Sequence, residues 1–375
     1  MKATPVSPKR AFRFQEGGLV VVILLLSALL TIFGGKVKRP VLQRNASGEM
    51  ERVFVVNAQG EREPVFKEVN KFFNADQFAQ IAKDTSFIAI MAVGATVVII
   101  CGGIDLSVGA TYALVSVLGA LFFNLYGPSG ARATDGAWVL PVGILICIGS
   151  GVLCGVINGG LLVALRVHPF IITLGTMTIF RGIAFVITNG QSIGEFPAAL
   201  RRVIRWEPGG LSVVPLIVMI IVTLVGAIFL TRLAAGRRVY AVGGNELASR
   251  YSGIRVERVK FGVFVISGLC AGISALLAIG YYGGANSADG AGYELNTIAA
   301  AVVGGASLSG GKGSALGAFL GALTIKLIDT GIVILGIDQN YLQIITGSVV
   351  IIAVVLDQTN NWLAKRRLAA RAIAQ

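Results

Sequence analysis

Residues 231–260, TRLAAGRRVYAVGGNELASRYSGIRVERVK, carry seven basic side chains (Arg232, Arg237, Arg238, Arg250, Arg255, Arg258 and Lys260) against two acids, Glu246 and Glu257. On either side lie strongly apolar runs, 211–230 and 261–281. Each has the ~20 residues needed to cross ~30 Å of hydrocarbon. A charged segment between two such runs lies outside the bilayer, and its basic bias puts it on the cytoplasmic side.

Working outward, the same pattern repeats. The 375 residues are 55% hydrophobic and 14% charged, where soluble domains carry roughly 25% charged residues. Forty-nine glycines suit a bundle whose helices pack closely or break inside a membrane. The ~10-residue alternating segments of a membrane barrel are absent. The fold class expected is all-α, a polytopic membrane protein with about ten spans, some short or broken.

Residues 1–16 form a polar, basic tail, and 17–35 the first span. No small-x-small site precedes Lys36, so the span reads as a retained anchor, not a cleaved signal. Residues 36–84 are a charged extracytoplasmic loop in which VFVVNAQGEREPVF (53–66) predicts a short hairpin. The transmembrane body runs from 85 to 357, followed by a basic tail at 358–375. Within the body, spans are expected at 85–101, 106–126, 137–165, 170–188, 211–230, 261–281, 293–306, 315–335 and 341–356.

Ten spans put both termini and 231–260 on one side. That side gathers seventeen Lys/Arg and four acids, whereas the other has thirteen and twelve. The bias makes both termini cytoplasmic, with only Arg201, Arg202 and Arg205 running against it. The charge of +13 therefore reflects topology and calls for no nucleic acid. Cys101, Cys147, Cys154 and Cys270 all sit in apolar runs and read as small core residues, with no metal spacing among them.

Few residues offer chemistry. Asp105, after the double glycine of CGGIDLSVGAT (101–111), either caps the following helix with help from Ser107 or meets a solute directly. Tyr293, Glu294 and Asn296 open a short, glycine-interrupted span, the kind of element at which transporters bind or gate. Asn189, where span five meets the outside, completes the translocation-path candidates. Lys326 and Asp329 are spaced to pair along one helix face, while Arg181 lacks a local partner. His168, before Pro169, reads as a turn residue. GGASLSGGKGS (304–314) imitates a phosphate loop, but Ala306 and Gly313 stand where the first glycine and the magnesium-binding hydroxyl belong. With no other nucleotide motif, the chain is expected to be neither an ATPase nor an enzyme of another kind, and to bind no cofactor itself.

Four stretches, GGIDLSVGATYAL (102–114), RGIAFVITNG (181–190), GRRVYAVGGNELASRYSGI (236–254) and GYELNTIAAAVVGGASLSGGKGSALGAFLGAL (292–323), resemble in order and spacing the permease subunit of ribose-type ABC importers. The resemblance runs from about residue 78 to 357 and stops short of the first 75 residues. It implies a bacterial plasma-membrane sugar permease. Its implied partners are a periplasmic sugar-binding protein, a second permease copy or paralogue, membrane lipid and a cytoplasmic ATPase subunit that binds the ATP. It further implies that Gly243, Gly244, Asn245, Glu246, Ala248, Arg250, Ser252 and Gly253 engage that ATPase. The residues themselves agree: Asn245 is a good N-cap, and Glu246–Tyr251 could form a short helix ended by Gly253. The rival reading is an ion-coupled secondary transporter built around Asp105.

Overall fold

A computed structural model describes residues 9–44, 50–56, 61–134, 136–208, 211–349, 351–352, 354–355 and 358–359. The far end of the first tail and most of the last lie outside these. Among the described residues, eight helices are long and apolar enough to cross a membrane. They are α1 (Lys9–Phe33), α2 (Ala75–Ile100), α3 (Val108–Leu125), α4 (Val139–Leu165), α5 (Pro169–Thr188), α7 (Val213–Arg232), α10 (Val256–Tyr282) and α12 (Ala315–Ile334). Two shorter helical pieces, α11 (Tyr293–Val303) and residues 341–349, stand where the short spans were expected. The protein is a polytopic all-α membrane protein.

The bundle is built around α2. Lipid can cover an apolar face, so apolarity alone buries no membrane helix; yet 94% of the spanning stretch of α2 is buried, against 28% for the more apolar α7 and 6% for α1. α1 lies outside the bundle, with Leu30 packed against Gly331 of α12. The glycines do what their number implied. Gly151 and Gly155 of α4 face Gly268 and Gly272 of α10; a Cβ on Gly151 would come within 2.8 Å of the Gly272 Cα. Two small-xxx-small surfaces thus bring the backbones together.

One expectation about the helix boundaries needs correcting. α2 begins at Ala75, ten residues before the expected start of its span, with the Asn74 side chain accepting the Gln77 N–H at 2.8 Å. Residues 75–84 are therefore helix, not loop. Their charges are accommodated by partners: Lys83 reaches Asp84 at 3.0 Å and lies 4.5 Å from the Tyr281 ring centre. Arg205, one of the cations running against the charge bias, covers the same ring at 5.2 Å.

The loop after α1 is an arm of three two-stranded ribbons. β1 (Lys36–Pro40) pairs with β6 (Phe66–Asn70), β2 (Leu42–Arg44) with β3 (Met50–Arg52), and β4 (Phe54–Val56) with β5 (Arg62–Pro64). The last pair is the hairpin expected at 53–66. The ribbons meet at a node where Val41 N–H donates to Val65, Val65 to Val53 and Val53 to Val41, at 2.7–2.9 Å. These valines recur every twelve residues, at 41, 53 and 65.

Contacts between distant segments sort the helix ends onto two faces. Glu16 accepts a hydrogen bond from Ser314 at 2.9 Å, so the start of α1 shares a face with the end of α2 and the 304–314 turn. On the opposite face, β7 (Ile193–Gly194) pairs with β8 (Gly284–Ala285).

Candidate functional site

The basic stretch folds into two short helices, α8 (Ala234–Gly244) and α9 (Glu246–Tyr251). Asn245, extended at φ −160°, separates them, and its side chain accepts the Ala248 N–H at 2.9 Å. That is the cap the sequence predicts; α8 it did not. α9 ends in a Schellman arrangement: Gly253 at φ +80° donates to the Arg250 carbonyl, and Ile254 to the Ser249 carbonyl. The left-handed turn there is why a glycine is needed. The Ser252 hydroxyl adds a bond to the Ala248 carbonyl at 2.9 Å. Glu246 pairs with Lys260 at 2.7 Å and Arg250 with Glu257 at 2.8 Å, tying α9 to the first turn of α10. Leu247 and Tyr251, one turn apart, are 66% and 88% exposed. An apolar pair held outward on a braced helix is a knob without a socket among the described residues.

The other end of the element is sunk into the bundle. A Cβ on Gly243 would run into the Ile100 carbonyl oxygen at the end of α2. That oxygen accepts the Gly311 N–H at 2.8 Å, and the Gly243 carbonyl lies against Gly310. The Tyr240 hydroxyl donates to the Gly313 carbonyl at 2.7 Å, and burial pushes this phenol up to about 12, so it stays a donor. Gly244, by contrast, has open space where a Cβ would go. The 304–314 turn is therefore the seat on which α8 and α2 meet, with Gly310, Gly311 and Gly313 all at positive φ.

Just beyond Ile100 lies the break, residues 101–107. Asp105 is buried and both its carboxylate oxygens are hydrogen-bonded. Oδ1 accepts the Ser107 N–H at 2.9 Å and the Ser107 hydroxyl at 2.7 Å, and Oδ2 accepts the Ser267 hydroxyl of α10 at 2.7 Å. Asn158 of α4 donates to Ser107 Oγ at 2.7 Å and accepts from Thr176 of α5 at 2.6 Å. Asp105 thus closes the turn into α3 and ties α3, α4, α5 and α10 together. The expected helix cap is displaced: the N-cap of α3 is Ser107, which makes no side-chain cap bond, and Asp105 accepts the N–H of that residue instead. Asn158, Ser267 and Thr176 were overlooked; an amide inside an otherwise apolar span was the available signal.

On the opposite face, Tyr293 lines a cavity of about 300 Å³ with Tyr112, Tyr282, Asn286, Asp289 and Ser192. Tyr112 and Tyr293 stand 5.3 Å apart. Asn286 donates to Ser192 at 2.9 Å, and burial raises the Asp289 carboxyl, against the Asn286 N–H and Arg181. Arg181 finds its partners here, donating to the Ser287 and Asp289 carbonyls at 2.9 and 2.5 Å. Glu294 accepts the Gly292 N–H at 3.3 Å, while its other oxygen is buried against α3 without a partner. Asn296 is half-buried one turn on, outside the cavity lining. Asn189 ends α5 in the left-handed conformation, φ 49°, and is exposed three residues before Ser192. Of these candidates Tyr293 lines the cleft, while Glu294 is packed beside it against α3; Asp105 and Ser107 belong to a separate network. Lys326 turns to Asp84 of α2 at 3.3 Å, so the pairing expected within α12 gives way to one between helices. His168 caps α5, accepting the Phe170 N–H at 3.3 Å.

The sequence profile of the family described as the permease component of branched-chain amino acid transport systems matches residues 77–354. The chain belongs to this permease family. Its similarity to individual members is strong. The permease is 37% identical over 305 residues to the ribose import permease RbsC of Haemophilus influenzae, covering 79% of this chain and 88% of the relative. It is 36% identical to RbsC of Escherichia coli K12, covering 76% and 87%. To the autoinducer 2 import permease LsrD of Escherichia coli strain HS it is 34% identical, covering 74% and 85%. No solved structure matches the permease significantly. The matched region excludes the three-ribbon arm.

Proposed function

We propose that this permease carries a monosaccharide, ribose or a similar small polyol, across the bacterial inner membrane. Both termini and residues 231–260 face the cytoplasm, a soluble binding protein delivers the sugar from outside, and a separate ATPase subunit supplies the energy. The ATPase seats on α9, with Leu247 and Tyr251 as the apolar contacts and the Glu246–Arg250–Glu257–Lys260 network holding their angle. A second permease copy or paralogue completes the pore. The chain itself holds no cofactor and performs no hydrolysis.

The observation that carries this reading is the backbone contact between Gly243 and Ile100. A partner that tilts α9 moves α8, and α8 has no slack against the end of α2. α2 is the central helix, and the break that follows it is tied by Asp105 to four others, so a displacement there reaches most of the bundle. The aromatic cleft at Tyr112, Tyr282 and Tyr293 suits the outer mouth of the path: rings for the apolar face of a sugar, with Asn286, Asp289 and Ser192 for its hydroxyls. The names of the relatives above favour a sugar or a sugar-like molecule.

A secondary transporter coupled through Asp105 fits less well, because all the donors around that carboxylate are hydroxyls and an N–H already bound to it. The test is sugar uptake into proteoliposomes. Uptake should require the binding protein, the ATPase subunit and ATP together; uptake by the permease alone, driven by an ion gradient, would overturn the proposal.

A further inference from the structure

A cavity of about 600 Å³ opens between the α7–α8 corner and the start of α10, and three arginines, Arg238, Arg255 and Arg258, line it. Among the described residues no carboxylate lies within ion-pair distance of any of them. Nearby Arg250 and Lys260 do have acid partners; Arg232 and Arg237 share the lack but stand outside the cavity lining, so what sets this place apart is three such arginines around one cavity. Much of its remaining wall is apolar, and the far side belongs to membrane-crossing helices: Phe229 on α7, and Val263 and Ile266 on α10. Ile266 stands eleven residues beyond Arg255, about 16 Å along the helix at 1.5 Å per residue. Gly262 has open space where a side chain would project, which leaves the apolar arm unfilled.

We propose that this cavity binds an anionic glycerophospholipid, its phosphate among Arg238, Arg255 and Arg258 and an acyl chain along Gly262, Val263 and Ile266. Three uncompensated guanidiniums favour a phosphate, which they can grip with paired N–H groups. A free anion would leave the apolar arm empty, and an acidic segment of a soluble partner would have to reach a full two turns into hydrocarbon. A lipid of the adjoining leaflet meets both ends of the site without leaving the bilayer, and basic clefts between spanning helices are suited to such headgroups. Ser252 and Gly253 form part of the same wall, so an occupied cavity braces the C-terminal end of α9. The leaflet concerned is the cytoplasmic one, which rests on the orientation proposed above; the binding itself does not.

The experiment is native mass spectrometry of the full-length permease, titrated with phosphatidylglycerol or phosphatidylcholine. Phosphatidylglycerol should be retained preferentially. Neutralising one arginine should weaken it about fivefold, and R238Q/R255Q/R258Q roughly a hundredfold, at ~1 kcal/mol for each basic side chain near a lipid surface. Gly262→Leu changes no charge but fills the apolar arm, and should also release the lipid; it keeps the test open if the triple variant does not fold. Three outcomes would overturn the proposal: equal retention of the two lipids, displacement by inorganic phosphate as readily as by lipid, or a folded triple variant that keeps phosphatidylglycerol. Because the measurement needs neither sugar nor ATPase, failure of the transport reading would leave its result intact.

Discussion

The two ends of α2 are held in opposite ways. At the Ile100 end the contacts are backbone on backbone: the carbonyl of Ile100 against Gly243 and the N–H of Gly311, with glycines allowing the approach. At the Ala75 end the contacts are long, charged side chains: Lys83 with Asp84 and the tyrosine rings, and Lys326 with Asp84. Backbone contact at van der Waals distance admits one geometry, since packed interiors do not deform continuously. Ion pairs between flexible side chains tolerate several. The difference assigns roles to the two ends. On the function proposed above, motion from α9 would enter α2 at the glycine end, where it cannot be absorbed, and the charged end would be where the helix gives.

That contrast can be attacked from both sides. The largest effect is expected at the break. Asp105→Ala leaves the Ser107 N–H and two hydroxyls buried without an acceptor, each worth ~1–3 kcal/mol. The variant should melt several degrees lower in detergent, and Asp105→Asn, which keeps one acceptor oxygen, should recover part of the loss. Equal melting of wild type and Asp105→Ala would remove the break from the account. A smaller effect is expected at the charged end. Lys326→Gln leaves Asp84 its bond to Lys83, in a site that is part-exposed, so stability should fall by about 1 kcal/mol or less and transport should persist. Loss of transport in Lys326→Gln with normal folding would mean that the charged end is as strictly positioned as the glycine end.

The parts legible in the sequence were those with a strong local signal. Apolar runs of span length, the N-cap at Asn245 and the helix stop at Gly253 each follow from chemistry within a few residues. The hairpin at 53–66 belongs to this group. What escaped depends on tertiary neighbours. The first turns of α2 look polar because Lys83 and Asp84 are polar; only the tyrosines of α10 and Lys326 of α12 make them acceptable inside. Lys326 and Asp329 have the spacing of a helical pair, yet a better-placed carboxylate on another helix takes the lysine. Gly243 and Gly244 are indistinguishable in sequence, and only the position of Ile100 separates them. The cleft at Tyr112, Tyr282 and Tyr293 collects side chains from three helices, and no spacing rule connects 112 with 282.

The neighbouring glycines also provide the most direct test of the central claim, that α9 acts on the bundle through the Gly243–Ile100 contact. Gly243→Ala and Gly244→Ala add the same methyl one residue apart, the first into the Ile100 carbonyl and the second into open space. Overpacking at such a contact costs typically 1–3 kcal/mol or forces the backbone apart. The quantity to measure is sugar transported per ATP hydrolysed, in proteoliposomes containing the binding protein and the ATPase subunit. Gly243→Ala should lower that ratio severalfold or more while still binding the ATPase, and Gly244→Ala should stay near wild type. A normal ratio in Gly243→Ala, or a greater loss in Gly244→Ala, would contradict the account.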